Sequence, residues 1–196
     1  MKYLYLILIS FAFELKAETI LFLGDSLTEG YQLSREEAYP AIIERTFKKE
    51  NKNIKVINGG VSGATSASGL KRLDWYLRAK PDIIVLALGA NDGLRGLNLI
   101  ETEKNLSLVI KKAQERGMLV ILAGMKIPTN MGESYRREFE NLFPSLSKKY
   151  SIKLIPFLLE GVGGRPEMNL PDGIHPNPKG HLKMAENVLK VLRSAL

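Results

Sequence analysis

The 196-residue chain contains no cysteine. That excludes a disulfide frame, a thiolate metal site and a cysteine nucleophile. It has two histidines and no His-x-x-x-His pair, so a metal hydrolase finds poor ligation here. Neither a metal nor a cofactor is expected. No basic tract interleaved with aromatics is present, and none of the patterns of nucleic-acid binders appears. No internal repeat, low-complexity tract or linker interrupts the chain, and its 45% hydrophobic content suits one globular domain with a full core.

The longest N-terminal apolar run, Tyr3 to Phe13, is too short to span a bilayer as a stable helix. With Met1-Lys2 before it and Ala17 after it, the run reads as a secretory signal. The expected organisation is a signal peptide over residues 1–17 and a mature domain over residues 18–196, placed in a bacterial periplasm or outside the cell. An uncleaved N-terminal anchor is the alternative. Cleavage would remove Lys2, Lys16 and Glu14 and take the net charge from +7 to +6. Such a surface favours anionic lipid, acyl carriers or nucleic acid. The cations are scattered, however, as in Lys48-Lys49, Lys111-Lys112 and Lys148-Lys149, and read as solvated helix faces.

What is present is an alternation of strands and helices. Thr19–Leu23, Ile54–Ile57, Ile83–Leu88, Met118–Ala123 and Ile152–Ile155 read as strands, the third apolar throughout and therefore buried on both faces. Helical spacing follows each one. Tyr39-Pro40 opens the first helix, and Leu70–Ala79 forms the second. Thr102 is a candidate cap for the third, which Gly117 ends. A helix around Tyr135–Leu146 is expected to kink or break near Pro144. Asn177-Pro178 starts the last helix, with Leu182, Ala185, Val188, Leu189 and Leu192 as its apolar positions. Five strand–helix alternations call for α/β architecture, a parallel sheet with helices on both faces.

The first strand ends in Gly24-Asp25-Ser26, followed by a loop to Tyr31. This sets a serine hydroxyl at the carboxyl end of a buried strand, where open α/β sheets bind their ligands. A serine nucleophile needs a base, a group to orient the base, and donors for an oxyanion. His175 is the candidate base and Asp172, three residues earlier, its orienting carboxylate. His181 has no adjacent carboxylate and reads as a surface residue. Gly63 offers an unobstructed backbone N–H, and Asn91 a neutral amide just after the third strand. Ser26's own N–H completes the set. Each is a common turn or cap residue when taken alone. Their joint position after successive strands brings them to one sheet edge; Ser62 and Ser66 lack that placement. Leu94, Leu97, Met125, Ile127, Pro128 and Met131 supply apolar surface near the same rim.

Gly24-Asp25-Ser26-Leu27, Gly63, Gly89-x-Asn91-Asp92 and Asp172-x-x-His175 resemble, in order, the blocks of the GDSL, or SGNH, hydrolases. The resemblance covers essentially the whole mature chain. Its finer features, including Gly30-Tyr31, Asn91–Gly96 and Asp172–Asn177, are similar to periplasmic multifunctional esterases with acyl-CoA thioesterase, lysophospholipase and arylesterase activities. It implies a flavodoxin-like three-layer α/β/α sandwich with a five-stranded parallel sheet. It implies catalytic Ser26, Asp172 and His175, an oxyanion hole of Ser26, Gly63 and Asn91, and a substrate-facing loop from Asp92 to Asn98. Asp92, Leu94, Leu97, Ile127 and Pro128 are the expected substrate contacts. The expected partner is a small acyl ester or thioester, lysophospholipid among them, met by a monomer. The alternatives are an O-deacetylase of cell-wall or other glycans and a non-catalytic lipid- or glycan-binding domain.

Overall fold

A computed structural model of the protein describes residues 18–196, so the expected signal peptide lies outside the described residues. Five strands form one parallel sheet: β1 (Glu18–Gly24), β2 (Ile54–Gly60), β3 (Ile83–Ala87), β4 (Leu119–Ala123) and β5 (Lys153–Ile155), in the order β2-β1-β3-β4-β5. Every residue of β3 is buried, as a strand covered on both faces requires. The helices are α1 (Ser26–Glu29), α2 (Tyr39–Lys49), α3 (Gly69–Tyr76), α4 (Ala90–Leu94), α5 (Leu99–Glu115), α6 (Glu133–Tyr150) and α7 (Pro178–Leu192). α2 packs on α7, while α5 packs on α3 and α6, and these two groups sandwich the sheet. The strand order reverses between β1 and β3, and the crevice of a doubly wound sheet lies at that switch point.

Several elements differ from the sequence reading. The segments after β1 and β3, read as loops, are the short helices α1 and α4. β2 runs on through Asn58-Gly59-Gly60, whose partners on β1 are Phe22, Leu23 and Gly24; small residues there hid a strand that lies close against its neighbours. Asn98, not Thr102, caps α5, accepting from the Ile100 N–H at 2.8 Å. Thr102 lies a turn inside the helix and is buried. α6 continues through Pro144 without a break. Buried Phe139, Leu142, Phe143 and Leu146 anchor it on both sides of the proline, which sits on the exposed face.

His181, read from the sequence as a surface residue, lies in the core. It is buried in α7, and its Nδ1 accepts a hydrogen bond from the Tyr39 N–H at 3.1 Å. Ala38 offers no side-chain cap to α2, so the imidazole satisfies a backbone donor at that helix start. Burial pushes the His181 imidazole down to about 4. Leu182, expected on the buried stripe, is 54% exposed instead.

Candidate active site

Asp25 caps α1. Its Oδ1 accepts from the Leu27 N–H at 3.0 Å, and Gly30, at φ +86°, closes the single turn through its N–H to Ser26 O. That left-handed conformation suits a glycine. α1 lies flush on the ends of β1 and β2. A Cβ on Gly24 would overlap the Thr28 side chain, and one on Gly60 the Glu29 backbone. Ser26 is thereby set, largely buried, at the switch point. Arg72 stiffens the seat by donating to Gly24 O and Gly59 O.

The base arrives from the other end of the chain. Residues 170–175 fold back on themselves, with Gly173 at φ +71° and the Leu170 N–H bonded to His175 O at 2.7 Å. The Oδ1 of Asp172 accepts from the backbone N–H groups of Ile174 and His175, each at 2.9 Å. Its Oδ2 lies 2.7 Å from His175 Nδ1, and His175 Nε2 lies 3.0 Å from Ser26 Oγ. The His175 N–H above all holds the Asp172 carboxyl down to about 2. A lasting carboxylate keeps the proton on Nδ1 and leaves Nε2 as the acceptor for the serine hydroxyl. The ring of Tyr31 rests on the imidazole, centroid to centroid 4.3 Å.

The other candidate donors stand in the turn after β2 and in α4. Gly63 takes φ +76° in a turn whose edge is fixed by Glu29, which accepts from the N–H and hydroxyl of Ser62. Arg95 donates to Gly63 O at 3.2 Å. The Asn91 Nδ2 donates to Ala64 O at 3.0 Å, and its second hydrogen remains to be used. A buried cluster ties α4 to the segment after β2 and to α5: Asp92 accepts from the Ser66 N–H (2.9 Å), the Ser66 hydroxyl (2.5 Å) and the Thr102 hydroxyl (3.2 Å).

A serine hydroxyl, an imidazole and a carboxylate joined in hydrogen-bond sequence at the head of a parallel sheet are a candidate nucleophile with its base, and the lineage of the chain is that of ester hydrolases. Residues 22–183 match the model of the GDSL-like Lipase/Acylhydrolase family. The chain belongs to that family. It is 37% identical over 177 residues to an arylesterase of Vibrio mimicus, covering 90% of this chain and 88% of that one. It is 34% identical over 194 residues to thioesterase 1/protease 1/lysophospholipase L1 of Escherichia coli K12, covering 98% and 91% respectively. A crystal structure of TesA superposes with a TM-score of 0.88 at 36% identity, covering 91% of this chain and all of that one. The protein is an ester hydrolase of the SGNH type.

The GDSL hydrolase carries a cavity of about 470 Å³ beside Ser26 and His175, with Asn91 on its wall. Of the expected substrate contacts, Leu94, Ile127 and Pro128 line it. Asp92 and Leu97 do not. Asp92 is buried behind the wall with its carboxylate spent on Ser66 and Thr102, and Leu97 faces outward. Met125 also lines the cavity, whereas Met131 packs elsewhere. The opposite wall comes from Phe157, Leu159, Gly163-Gly164 and Ile174. Sequence reading passed over it because this irregular segment has no periodicity. Asp25 lines the cavity floor with its Oδ2 buried and unpaired among the described residues, and burial pushes its carboxyl up to about 6.

Proposed function

We propose that the protein hydrolyses esters and thioesters of apolar acyl chains through an acyl-enzyme on Ser26. The observation that carries this reading is the unbroken relay from Ser26 Oγ through His175 to Asp172 at the wall of a largely apolar cavity. Ser26 Oγ attacks the acyl carbonyl while His175 Nε2 takes its proton. Asp172 holds the imidazole and offsets the charge it acquires. The oxyanion forms among the N–H groups of Ser26 and Gly63 and the free Asn91 amide hydrogen. The imidazolium of His175 then gives the proton it took from Ser26 to the departing alkoxide oxygen or thiolate sulfur as its bond to the acyl carbon breaks, releasing the alcohol or thiol. Water, deprotonated by the same imidazole, releases the acyl group.

The acyl chain lies along Leu27, Leu94, Met125, Ile127 and Phe157. These walls favour a hydrocarbon chain over a sugar, and so favour acyl-chain hydrolysis over glycan deacetylation. The arylesterase and thioesterase/lysophospholipase relatives support the same substrate range, lysophospholipid included. Export to the periplasm or exterior through residues 1–17 belongs to this reading and is supported by the apolar run from Tyr3 to Phe13.

The test is turnover of p-nitrophenyl esters from acetyl to palmitoyl by the protein and by Ser26→Ala. The expected result is a preference for medium or long chains and a loss of about 10³-fold or more in the variant. Hydrolysis of acetyl esters alone would assign the enzyme to deacetylation. Undiminished turnover in Ser26→Ala would remove the serine from the mechanism.

A further inference from the structure

Leu94 is 40% exposed yet lines the cavity, and the chain leaving it does not turn inward. Gly96, at φ +63°, carries it on to Leu97, 40% exposed, and Ile100, 75% exposed in the first turn of α5. This ridge is held rather than loose. The Tyr135 hydroxyl donates to Leu97 O at 2.8 Å, and the Asn98 side chain caps the helix beneath Ile100. Ile174, 53% exposed, forms another lip of the same cavity.

Cations accompany these apolar side chains. Arg95 stands exposed within the ridge, and Lys126 is exposed on the cavity wall with its ammonium 5.1 Å from the Phe157 ring centroid. The acidic groups nearby are already engaged. Asp172 faces His175, Asp92 is buried, and Glu101 pairs with Lys104 at 3.1 Å. Exposed aliphatics beside cations that have no acidic partner among the described residues suit a bilayer surface bearing negative headgroups.

We propose that the Leu94–Ile100 ridge docks the enzyme on anionic lipid surfaces, so that an acyl chain passes from the bilayer into the cavity without crossing water. This rests on the acyl-chain reading above for its purpose, and on the ridge alone for the contact.

The absence of native cysteine allows a direct test in the full chain. Ile100→Cys is labelled with an environment-sensitive fluorophore, and Leu182→Cys, exposed on α7, serves as the control. Vesicles of phosphatidylglycerol and phosphatidylcholine should shift the label at 100 to the blue, leave that at 182 unchanged, and lose the effect in high salt. Affinity should exceed that for pure phosphatidylcholine by about tenfold or more, the effect of two surface cations. Equal shifts at both positions, or none at 100, would overturn the proposal. A shift caused by soluble polyglutamate would assign the ridge to an acidic macromolecule, and one caused by protein concentration alone to a second copy of the chain; either outcome overturns it too.

Ile100→Glu supplies a second arm. Its turnover of lysophospholipid presented in anionic vesicles should fall about tenfold or more, for the same surface contribution, while hydrolysis of soluble p-nitrophenyl butyrate stays as in the parent. Equal vesicle turnover in the variant and the parent would refute docking through the ridge. If soluble ester hydrolysis is absent from the parent, the esterase reading fails, and the fluorescence arm still decides the contact.

Discussion

Asn91 gives one amide hydrogen to Ala64 O and has a second to offer to the cavity it lines. The bond to Ala64 fixes the direction of the second hydrogen before any substrate binds, so in the proposed mechanism a developing oxyanion would meet a donor that needs no reorientation. Asn91→Ala should therefore lower kcat on p-nitrophenyl butyrate by about 10²–10³-fold, with a smaller change in KM. A parent-like kcat would take Asn91 out of the oxyanion role. The groups gathered here were legible in the sequence for a local reason: Ser26, Gly63 and Asn91 each follow a strand, and Asp172 and His175 share one tight turn. Asp92 was misread for the opposite reason. It adjoins Asn91 in sequence, but its burial depends on Ser66 and Thr102, which no local pattern connects to it. The cavity wall from Phe157 to Ile174 was equally invisible, because irregular backbone carries no period to read.

At the scale of elements, the seating of α1 and the packing of α7 matter most. α1 has no clearance over β2, since a side chain at Gly60 meets the Glu29 backbone. Gly60→Ala should destabilise the protein by about 1–3 kcal/mol through overpacking. Lifting α1 should also cut kcat/KM, by about 10²-fold for a displacement near 1 Å. Denaturant titration and ester kinetics on the same preparation check both, and a loss of stability with full activity would show that α1 does not seat the nucleophile. For α7 the helical spacing holds more than its apolar residues alone show. His181, Met184, Ala185, Val188, Leu189 and Leu192 follow the helical spacing of a buried face. That face includes His181 and leaves Leu182 outside. What no pattern supplies is its partner, the Tyr39 N–H of a helix 142 positions away in sequence.

For the whole molecule, two buried groups pull stability in opposite directions with pH. Folding holds the His181 imidazole near 4, so on acidification from about 6.5 the unfolded chain takes up its proton first and stability falls until about pH 4. Folding raises the Asp25 carboxyl to about 6, so the folded state retains a proton that the unfolded chain gives up above 3.8. Its contribution is present in acid and is lost as pH rises through 6. Each shift corresponds to about 3 kcal/mol, and across pH 4–6 the two slopes offset each other. Asp25→Asn, which keeps a capping side chain, should raise stability at pH 7–8 by up to about 3 kcal/mol and expose a fall between pH 6.5 and 4. His181→Gln should show the reverse, losing stability as pH rises from 4 to 6. Urea titrations across this range would decide it, and parallel curves for all three proteins would refute the balance. The distance along the chain between nucleophile and base has a consequence of its own. Ser26 and His175 are separated by 149 positions, so no N-terminal fragment that stops short of residue 175, however well folded, contains both. Under the mechanism proposed above, a chain whose synthesis has not yet reached His175 should be inert toward acyl esters. If both groups are required, as proposed, hydrolysis should begin only when the turn carrying His175 has closed over the end of the first strand, and in a refolding experiment the return of activity should mark that final docking rather than the formation of the sheet.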